Sequence, residues 1–330
     1  MFSWLFSSAP KRKYGWKHTE SYSEEEIASR PELRTYKTFN YHHNLSSVKE
    51  IDNSKNLPPI LDQGNLGSCT ANSICANYEY QMSKEEDIQF PMSRLFLYYL
   101  ERVKEGTDVS EDSGAQIKDG IAICKDQGLC LESLWPYDID KFAEKPPQNC
   151  YDDLPYHKAL QIHRVKKDLK DIDQCLLDGN VISFGFLVYE SFEKIGPDGM
   201  CPIPDTKKEK FLGGHAVLLH SKKTINGKTY YVVQNSWGEG WGDKGMFYVE
   251  PEFLTHTIGI LGFESLCSDL WTIQIVRDKN DPNISESDDV RLETIKKNLK
   301  IDTHENDIED MCNKLRELIV NVEKSKTESV

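Results

Sequence analysis

An α+β fold with helices and strands in two segregated lobes is what this sequence predicts. Apolar residues recur with the 3.6-residue helical period up to about residue 178, and runs of β-branched and aromatic residues then replace that pattern. Asn226-Gly227 falls between two of those runs as a hairpin turn signal. Helices first and strands later point away from a doubly wound parallel sheet. At 330 residues with 38 % hydrophobic and 10 % aromatic content, the chain can bury a substantial core and is unlike a disordered polymer.

Residues 1–44 are polar, carry Pro10 and Pro31 and show little periodicity, so they read as an N-terminal extension without much core of its own. Pro58 and Pro59 then hold the chain extended, because a residue before proline avoids the helical region. The first helix carries Ala71, Ile74, Cys75, Tyr78 and Met82 on one buried face. A second is expected over about 92–103, with Met92, Leu95, Phe96, Tyr99, Leu100 and Val103 on its stripe and Ser93 near its start. A third, over about 114–126, aligns Ile117, Ile121 and Cys124 and stops at Gly128; a fourth, over about 166–178, aligns Leu169, Ile172 and Leu176 and stops at Gly179. Strands are expected over 181–188, 216–220, 230–234, 246–249 and 271–276. Beyond Asp281-Pro282-Asn283 a polar linker leads to an amphipathic helix marked by Ile308, Met311, Leu315, Leu318, Ile319 and Val322. Two heptads are too short for a stable coiled coil, so this helix is expected to dock on the parent domain or on a partner, a mobile tail being the other reading.

Composition excludes several classes of function. Forty Lys and Arg against 54 Asp and Glu leave a net charge of −14, which argues against nucleic-acid binding as the main activity. No apolar run reaches the roughly 18 residues of a membrane-spanning helix. Phe2, Trp4, Leu5 and Phe6 make too short a patch for a signal peptide, and Lys11, Arg12 and Lys13 follow it instead of preceding it. Nine cysteines, an odd number with no C-x-x-C pair, read as buried free thiols of a reducing, intracellular compartment. No His, Cys and carboxylate set has metal-ligand spacing, so neither a metal nor a cofactor is expected.

Three local features carry chemistry. Gln63-Gly64-Asn65-Leu66-Gly67-Ser68-Cys69 runs directly into the first helix, and a cysteine at a helix N-terminus has its thiolate stabilised by unpaired N–H groups and the macrodipole. Taken alone, Cys69 is equally one more buried thiol. Gly213-Gly214-His215-Ala216-Val217 places a histidine at the start of an apolar strand, where it either titrates in a cleft or is a hydrogen-bonded structural residue. Gln234-Asn235-Ser236-Trp237-Gly238 follows the partner strand. Asn235 can hold an imidazole in one tautomer and the indole can shield that bond; the plainer reading is a glycine-rich turn with packed tryptophans.

Gln63, Cys69, His215 and Asn235 occur in that order, His215 lying 146 residues after Cys69 and Asn235 another 20 beyond. In this the sequence resembles the papain family of cysteine peptidases. The resemblance covers about 57–276. Ser113-Gly114 resembles the glycine pair that binds substrate backbone, Trp135-Pro136-Tyr137 the aromatic-Pro-Tyr segment, and Trp237 the tryptophan over the His–Asn bond. The Gly-Ser-Cys-Thr-Ala-Asn run from Gly67, with Gly213-Gly214-His215-Ala216-Val217 and Leu270-Trp271-Thr272-Ile273, is most similar to a branch found in bacteria and large DNA viruses. Two positions depart from the pattern. Leu66 replaces a usual disulfide cysteine, which fits a reducing compartment, and Thr70 replaces an aromatic residue, which alters the packing behind the nucleophile.

The resemblance implies a helical left lobe and an antiparallel β right lobe with the active-site cleft between them. It implies residues 1–44 as a short prosegment at most, 45–276 as the peptidase domain and 277–330 as linker and tail. It also implies a zymogen whose Cys69 attacks a peptide carbonyl as a thiolate paired with His215. Asn235 would orient the ring, and the Cys69 N–H and the Gln63 side chain would hold the oxyanion. Ser113, Gly114, Gly214, Ala216 and Trp237 would contact a polypeptide substrate, with Phe184 or Phe186 as an apolar wall. A catalytically silent binding or structural protein, and an acyl-transferase or ligase on the same acyl-enzyme, are the other readings. A viral source would add association with the virion.

One geometric test is built into the sequence. A two-residue turn at Asn226-Gly227, continued without a break, brings His215 opposite Gly238, so Asn235 would sit three positions away and on the other face of the hairpin. A working His–Asn pair therefore requires a bulge or a wider loop between about 220 and 230.

Overall fold

A helix buried along most of its length organises the fold. In the computed structural model, which describes residues 12–18, 48–86, 90–260 and 263–275, helix α1 (Cys69–Glu86) packs against the sheet and against two further helices. The chain is continuously buried from Leu66 to Met82, whereas the apolar periodicity marks only one face. The other faces are polar and satisfied from outside. Ser73 Oγ donates to the Val217 carbonyl at 2.8 Å and Asn77 Nδ2 to Ser183 Oγ at 3.1 Å, so the buried polar groups of α1 are stitched to two strands.

Helix α2 (Arg94–Lys104) starts where the side chain of Ser93 accepts the Phe96 N–H. Its expected stripe holds as far as Leu100, but Val103 is 49 % exposed, because the last turn buries Arg102 instead, whose Nε donates to the Tyr98 carbonyl at 3.2 Å. Helix α3 (Ile117–Asp126) begins three residues later than expected. A short α4 (Gln148–Asp153) and strand β1 (Gln161–Arg164) precede α5 (Leu169–Leu177), capped by Asp168. Then come β2 (Ile182–Tyr189), the single turn α6 (Glu190–Glu193), β3 (Met200–Cys201), β4 (Phe211–Ile225), β5 (Lys228–Gln234) and β6 (Met246–Val249). Helix α7 (Pro251–Thr255), the hairpin β7 (Thr257–Ile260) and β8 (Phe263–Ser265), and β9 (Cys267–Ile275) complete the described residues. The pieces absent from the sequence expectation are mostly six residues or fewer, too short to show a period.

Seven strands form one sheet in the order β1-β9-β2-β4-β5-β6-β3, antiparallel at every pairing except β3 with β6. This is the α+β arrangement expected. The β4–β5 turn is the two-residue one, with Asn226 and Gly227 both at positive φ (51° and 81°), and the required bulge lies at His220. Pairing runs Ile225 with Lys228 through Ser221 with Val232, then slips to Leu219 with Val233. That slip of one residue restores parity and puts His215 and Asn235 on the same face. Most of the N-terminal extension and the expected C-terminal helix lie outside the described residues.

Candidate active site

Cys69 is the first residue of α1 and is fully buried. The loop before it is fixed from two sides. The Tyr137 hydroxyl donates to the Gln63 carbonyl at 2.9 Å and meets Ser68 Oγ, and Arg94 lies 3.8 Å over the Tyr137 ring. The Gln63 N–H donates to the Ser236 carbonyl at 2.9 Å and Gly238 N–H to the Leu61 carbonyl at 3.0 Å, which ties this loop to the one carrying Asn235. Ser236 Oγ donates to Gln63 Oε1 at 2.7 Å. Gln63 Nε2 in turn donates to the Leu66 carbonyl at 2.9 Å, and because a carbonyl only accepts, this bond settles the orientation of the amide.

His215 Nε2 and Asn235 Oδ1 are 2.7 Å apart, and the same oxygen accepts the Ser236 N–H at 2.8 Å. An oxygen receiving a backbone N–H is the acceptor, so His215 donates from Nε2 and is left with Nδ1, buried and without a hydrogen-bond partner, as its basic atom. Trp237 is buried and packs on the imidazole with ring centroids 5.0 Å apart. Ala216, the next residue, points its N–H at the Cys69 sulfur.

The cleft is occupied by the chain itself. Residues 12–18 run through it in extended form. The Lys17 N–H donates to the Ala115 carbonyl at 2.8 Å and the Ala115 N–H to the Gly15 carbonyl at 2.7 Å, a parallel pairing on one cleft wall, and the Trp16 N–H donates to the Gly214 carbonyl at 3.0 Å on the other. Gln63 Nε2 donates to the Lys13 carbonyl at 3.3 Å, and the Gly15 N–H points at the Cys69 sulfur. Only glycine passes here, since a Cβ on residue 15 would stand 1.7 Å from the Gly67 carbonyl oxygen. Ion pairs fasten the edges: Arg12 to Asp62 at 2.6 Å, Lys13 to Asp112 at 2.7 Å and Lys17 to Glu105 at 2.7 Å. Tyr14 donates to Glu193 and meets His215 and Trp237 edge-on.

This covering sets the electrostatics. Burial pushes the Cys69 thiol up to about 12, against backbone N–H groups of Ala216, Gly15 and Thr70 that favour the thiolate. Burial likewise pulls His215 down to about 4, against the Asn235 bond that favours its charged form. The helix N-terminus alone predicts a thiolate; desolvation wins while the segment is in place, and the pair rests as thiol and neutral imidazole.

Of the residues singled out in the sequence, Gln63, Cys69, His215, Asn235 and Trp237 converge on this spot. Gly114 and Gly214 line the segment, Gly114 at 2.0 Å from the Gly15 oxygen to an ideal Cβ. Ser113 stands further out, its hydroxyl 3.4 Å from Lys17 Nζ, and Ala115 makes the backbone pair in its place. Phe184 is core packing, and Phe186 packs on His215 from the core side at 5.8 Å. Neither faces the segment; Gly185 between them does, as strand alternation requires. Thr70 donates to the buried Glu101 carboxyl at 2.8 Å, a polar pair where an aromatic residue was the norm. Asp112, which accepts the Gly67 N–H at 3.0 Å as well as Lys13, carried no signal in the sequence. No cluster able to hold a metal occurs among the described residues.

Comparison with known proteins follows the same line. Residues 46–260 match the family described as papain family cysteine protease. The chain is 36 % identical over 283 residues to an uncharacterized peptidase C1-like protein, L477, of Acanthamoeba polyphaga mimivirus, covering 79 % of this chain and 88 % of that one. It is similar to the crystal structure of xylellain, a cysteine protease from Xylella fastidiosa, at 29 % identity and a TM-score of 0.68, covering 81 % of this chain and 98 % of that chain. Procathepsin B S9 from Trypanosoma congolense, 16 % identical with a TM-score of 0.57 over 78 % of this chain and 85 % of that chain, shares the fold.

Proposed function

Because the chain belongs to the papain family of cysteine proteases, we propose that it cleaves peptide bonds by acyl transfer through Cys69, and that residues 12–18 hold it latent until they leave the cleft. The observation that carries this reading is the bond from His215 Nε2 to Asn235 Oδ1, which leaves Nδ1 as the one basic nitrogen of that ring. With the cleft open and hydrated, the Cys69 proton passes to His215 Nδ1 and the thiolate attacks the substrate carbonyl carbon. The resulting oxyanion takes the place of the Lys13 carbonyl at Gln63 Nε2, with the Cys69 N–H as second donor. The C–N bond breaks as His215 protonates the leaving amine, and water, deprotonated by the same nitrogen, releases the acyl group.

Latency follows from positions already filled. A substrate needs the Gln63 amide, the approach to Cys69 and the backbone groups of Ala115 and Gly214, and the segment uses all of them. The test is alkylation of the native chain by an epoxide-type thiol reagent, with peptide mapping, alongside hydrolysis of a casein-derived peptide mixture. Selective modification of Cys69 that removes hydrolysis is expected once the segment is displaced. Hydrolysis that survives Cys69→Ala would refute the assignment.

A further inference from the structure

Arg94 is the first residue of α2 and is buried. A cation there stands at the end of the helix dipole that favours anions, so neither helix formation nor solvation accounts for it. Its guanidinium is committed instead to three groups. Nη1 donates to Asn72 Oδ1 at 2.9 Å, Nη2 lies 3.6 Å from Glu132 Oε1, and the guanidinium carbon is 3.8 Å from the centre of the Tyr137 ring. Glu132 Oε1 also accepts the Tyr137 N–H at 2.9 Å, so the Arg94–Glu132 pair holds both the ring and the backbone of Tyr137.

Arg94 fixes the direction of the hydrogen bonds that follow from it. A guanidinium only donates, so Asn72 gives its oxygen to Arg94 and its Nδ2 to Ser68, whose carbonyl and Oγ accept at 2.9 and 3.1 Å. At the far end a carbonyl only accepts, so the one proton of the Tyr137 hydroxyl goes to the Gln63 carbonyl at 2.9 Å, and Ser68 Oγ donates to Tyr137 at 2.5 Å. The donors therefore run from Arg94 through Asn72, Ser68 and Tyr137 to Gln63, and the stack of Arg94 on Tyr137 closes them into a ring. Gln63 and Cys69, with the two oxyanion donors, bound the loop that this ring grips, and Ser68 directly precedes Cys69.

We propose that Arg94 is a positioning residue for the oxyanion site: through Asn72 and Tyr137 it sets the separation between the Gln63 side chain and the Cys69 N–H. This role rests on the peptidase reading for its meaning, while the grip on the loop is a separate physical fact. Cys69 itself is anchored in another way. It heads a helix tied to β4 through Ser73 and to β2 through Asn77, so its sulfur keeps its place when Arg94 is changed.

The test uses full-length chain opened by Trp16→Ala. Lysine in place of Arg94 keeps the charge but cannot both stack on Tyr137 and reach Asn72 with a second nitrogen. Arg94→Lys is expected to lower kcat about tenfold to 100-fold with KM within about threefold, since displacing an oxyanion donor costs less than the roughly 10²–10³-fold of deleting one. Inhibition by a peptide aldehyde, whose adduct with Cys69 places an oxygen in the same site, should weaken by a similar factor. Alkylation of Cys69 by iodoacetamide displaces iodide and forms no oxyanion, so its rate should fall by no more than about twofold. Tyr137→Phe removes one hydroxyl at nearly constant volume and should give the same pattern. Combined with Arg94→Lys it should cost less than about threefold beyond the larger single effect, because the two act along one path. Hydrogen exchange reads the loop without catalysis: the Gln63 and Gly67 N–H groups should exchange at least about tenfold faster in both variants, with β4 unchanged. A kcat within about twofold of the parent, a fall in Cys69 alkylation parallel to that in kcat, or exchange that is unchanged at Gln63 and Gly67 or faster in β4 as well, overturns the proposal. If the Trp16→Ala chain hydrolyses no peptide, the peptidase reading fails, and the exchange result still decides whether Arg94 grips the loop.

Discussion

Replacing Trp16 by Ala is the perturbation that best isolates the covering segment. A buried aromatic side chain removes roughly 150–250 Å² from water, which at about 25 cal/mol per Å² is ~4–6 kcal/mol as an upper bound. The segment is a local strap whose release need not unfold the domain, so about 3 kcal/mol is the working figure for its closing equilibrium. The three ion pairs weigh less. Asp62 is 50 % and Lys13 56 % exposed in their side chains, and such pairs contribute about 0–1 kcal/mol each and are screened by salt. Trp16→Ala should therefore raise the open fraction about 100-fold. The assay is the second-order rate of Cys69 modification by iodoacetamide at pH 7, site by site. The other seven described cysteines are buried as well, and their unchanged rates separate release of the strap from unfolding. A change of less than threefold at Cys69, or a parallel rise at all eight, would show that the segment does not govern access.

Asn235→Ala should lower kcat about 100-fold with KM little changed, because the imidazole loses the bond that fixes its tautomer, measured on chain already opened by Trp16→Ala. Gln63→Ala in the same background should lower kcat by about 10²–10³-fold, the usual effect of losing one oxyanion donor. Closure should depend on pH in both directions. The covered His215 has its pKa lowered to about 4 from 6.5, so the open state alone takes up a proton as pH falls below 6.5, and closure weakens down to about pH 4. The covered Cys69 is raised to about 12 from 9.0, so the open state alone loses a proton above pH 9, and closure weakens there too. Amide exchange of the Trp16 and Lys17 N–H groups, corrected for intrinsic rates, should show maximal protection between about pH 6.5 and 9; protection that rises steadily into acid would contradict this.

Much of the fold could be read from period and punctuation. Ser93 marks a helix start, Gly179 a helix stop and Asn226-Gly227 a turn, because each acts through its own backbone or its nearest neighbours. The bulge at His220 was legible in another way: no residue announces it, yet the positions of His215 and Asn235 on a fixed turn require a slip of register. What escaped were groups whose role depends on distant chain. Asp112 is one acidic residue among many until Gly67 and Lys13 are brought to it, and Gly185 looks like a weak point in a strand until Trp16 lies on it. Thr70 shows the same limit, since its partner Glu101 lies on α2, 31 residues away. The charge state of the site was out of reach for a related reason. A helix N-terminus is a local property, while desolvation depends on what the rest of the chain lays over it.

That contrast bears on how latency and catalysis share one set of residues. The helix end, the Asn235 bond and the N–H groups around Cys69 all favour the ion pair, and burial is the chief influence against it, with the charges of Glu101 on Cys69 and of Arg12 on His215 opposing it more weakly. The segment therefore need not distort the catalytic groups to silence them. It has only to exclude water while its own carbonyl and N–H occupy Gln63 and Cys69, so that uncovering frees proton transfer from Cys69 to His215 without rearrangement of the scaffold. Gly15 makes this feasible, since a larger residue could not pass Gly67, and Trp16 makes it stable. Gly15→Ala should accordingly open the site as Trp16→Ala does, but by collision with the Gly67 carbonyl instead of by loss of buried area. That both act through the segment and not through the catalytic groups is tested by adding the Arg-Lys-Tyr-Gly-Trp-Lys-His peptide in trans. It should re-inhibit both variants, because each leaves the receptor groups Gln63, Ala115, Gly185 and Gly214 untouched.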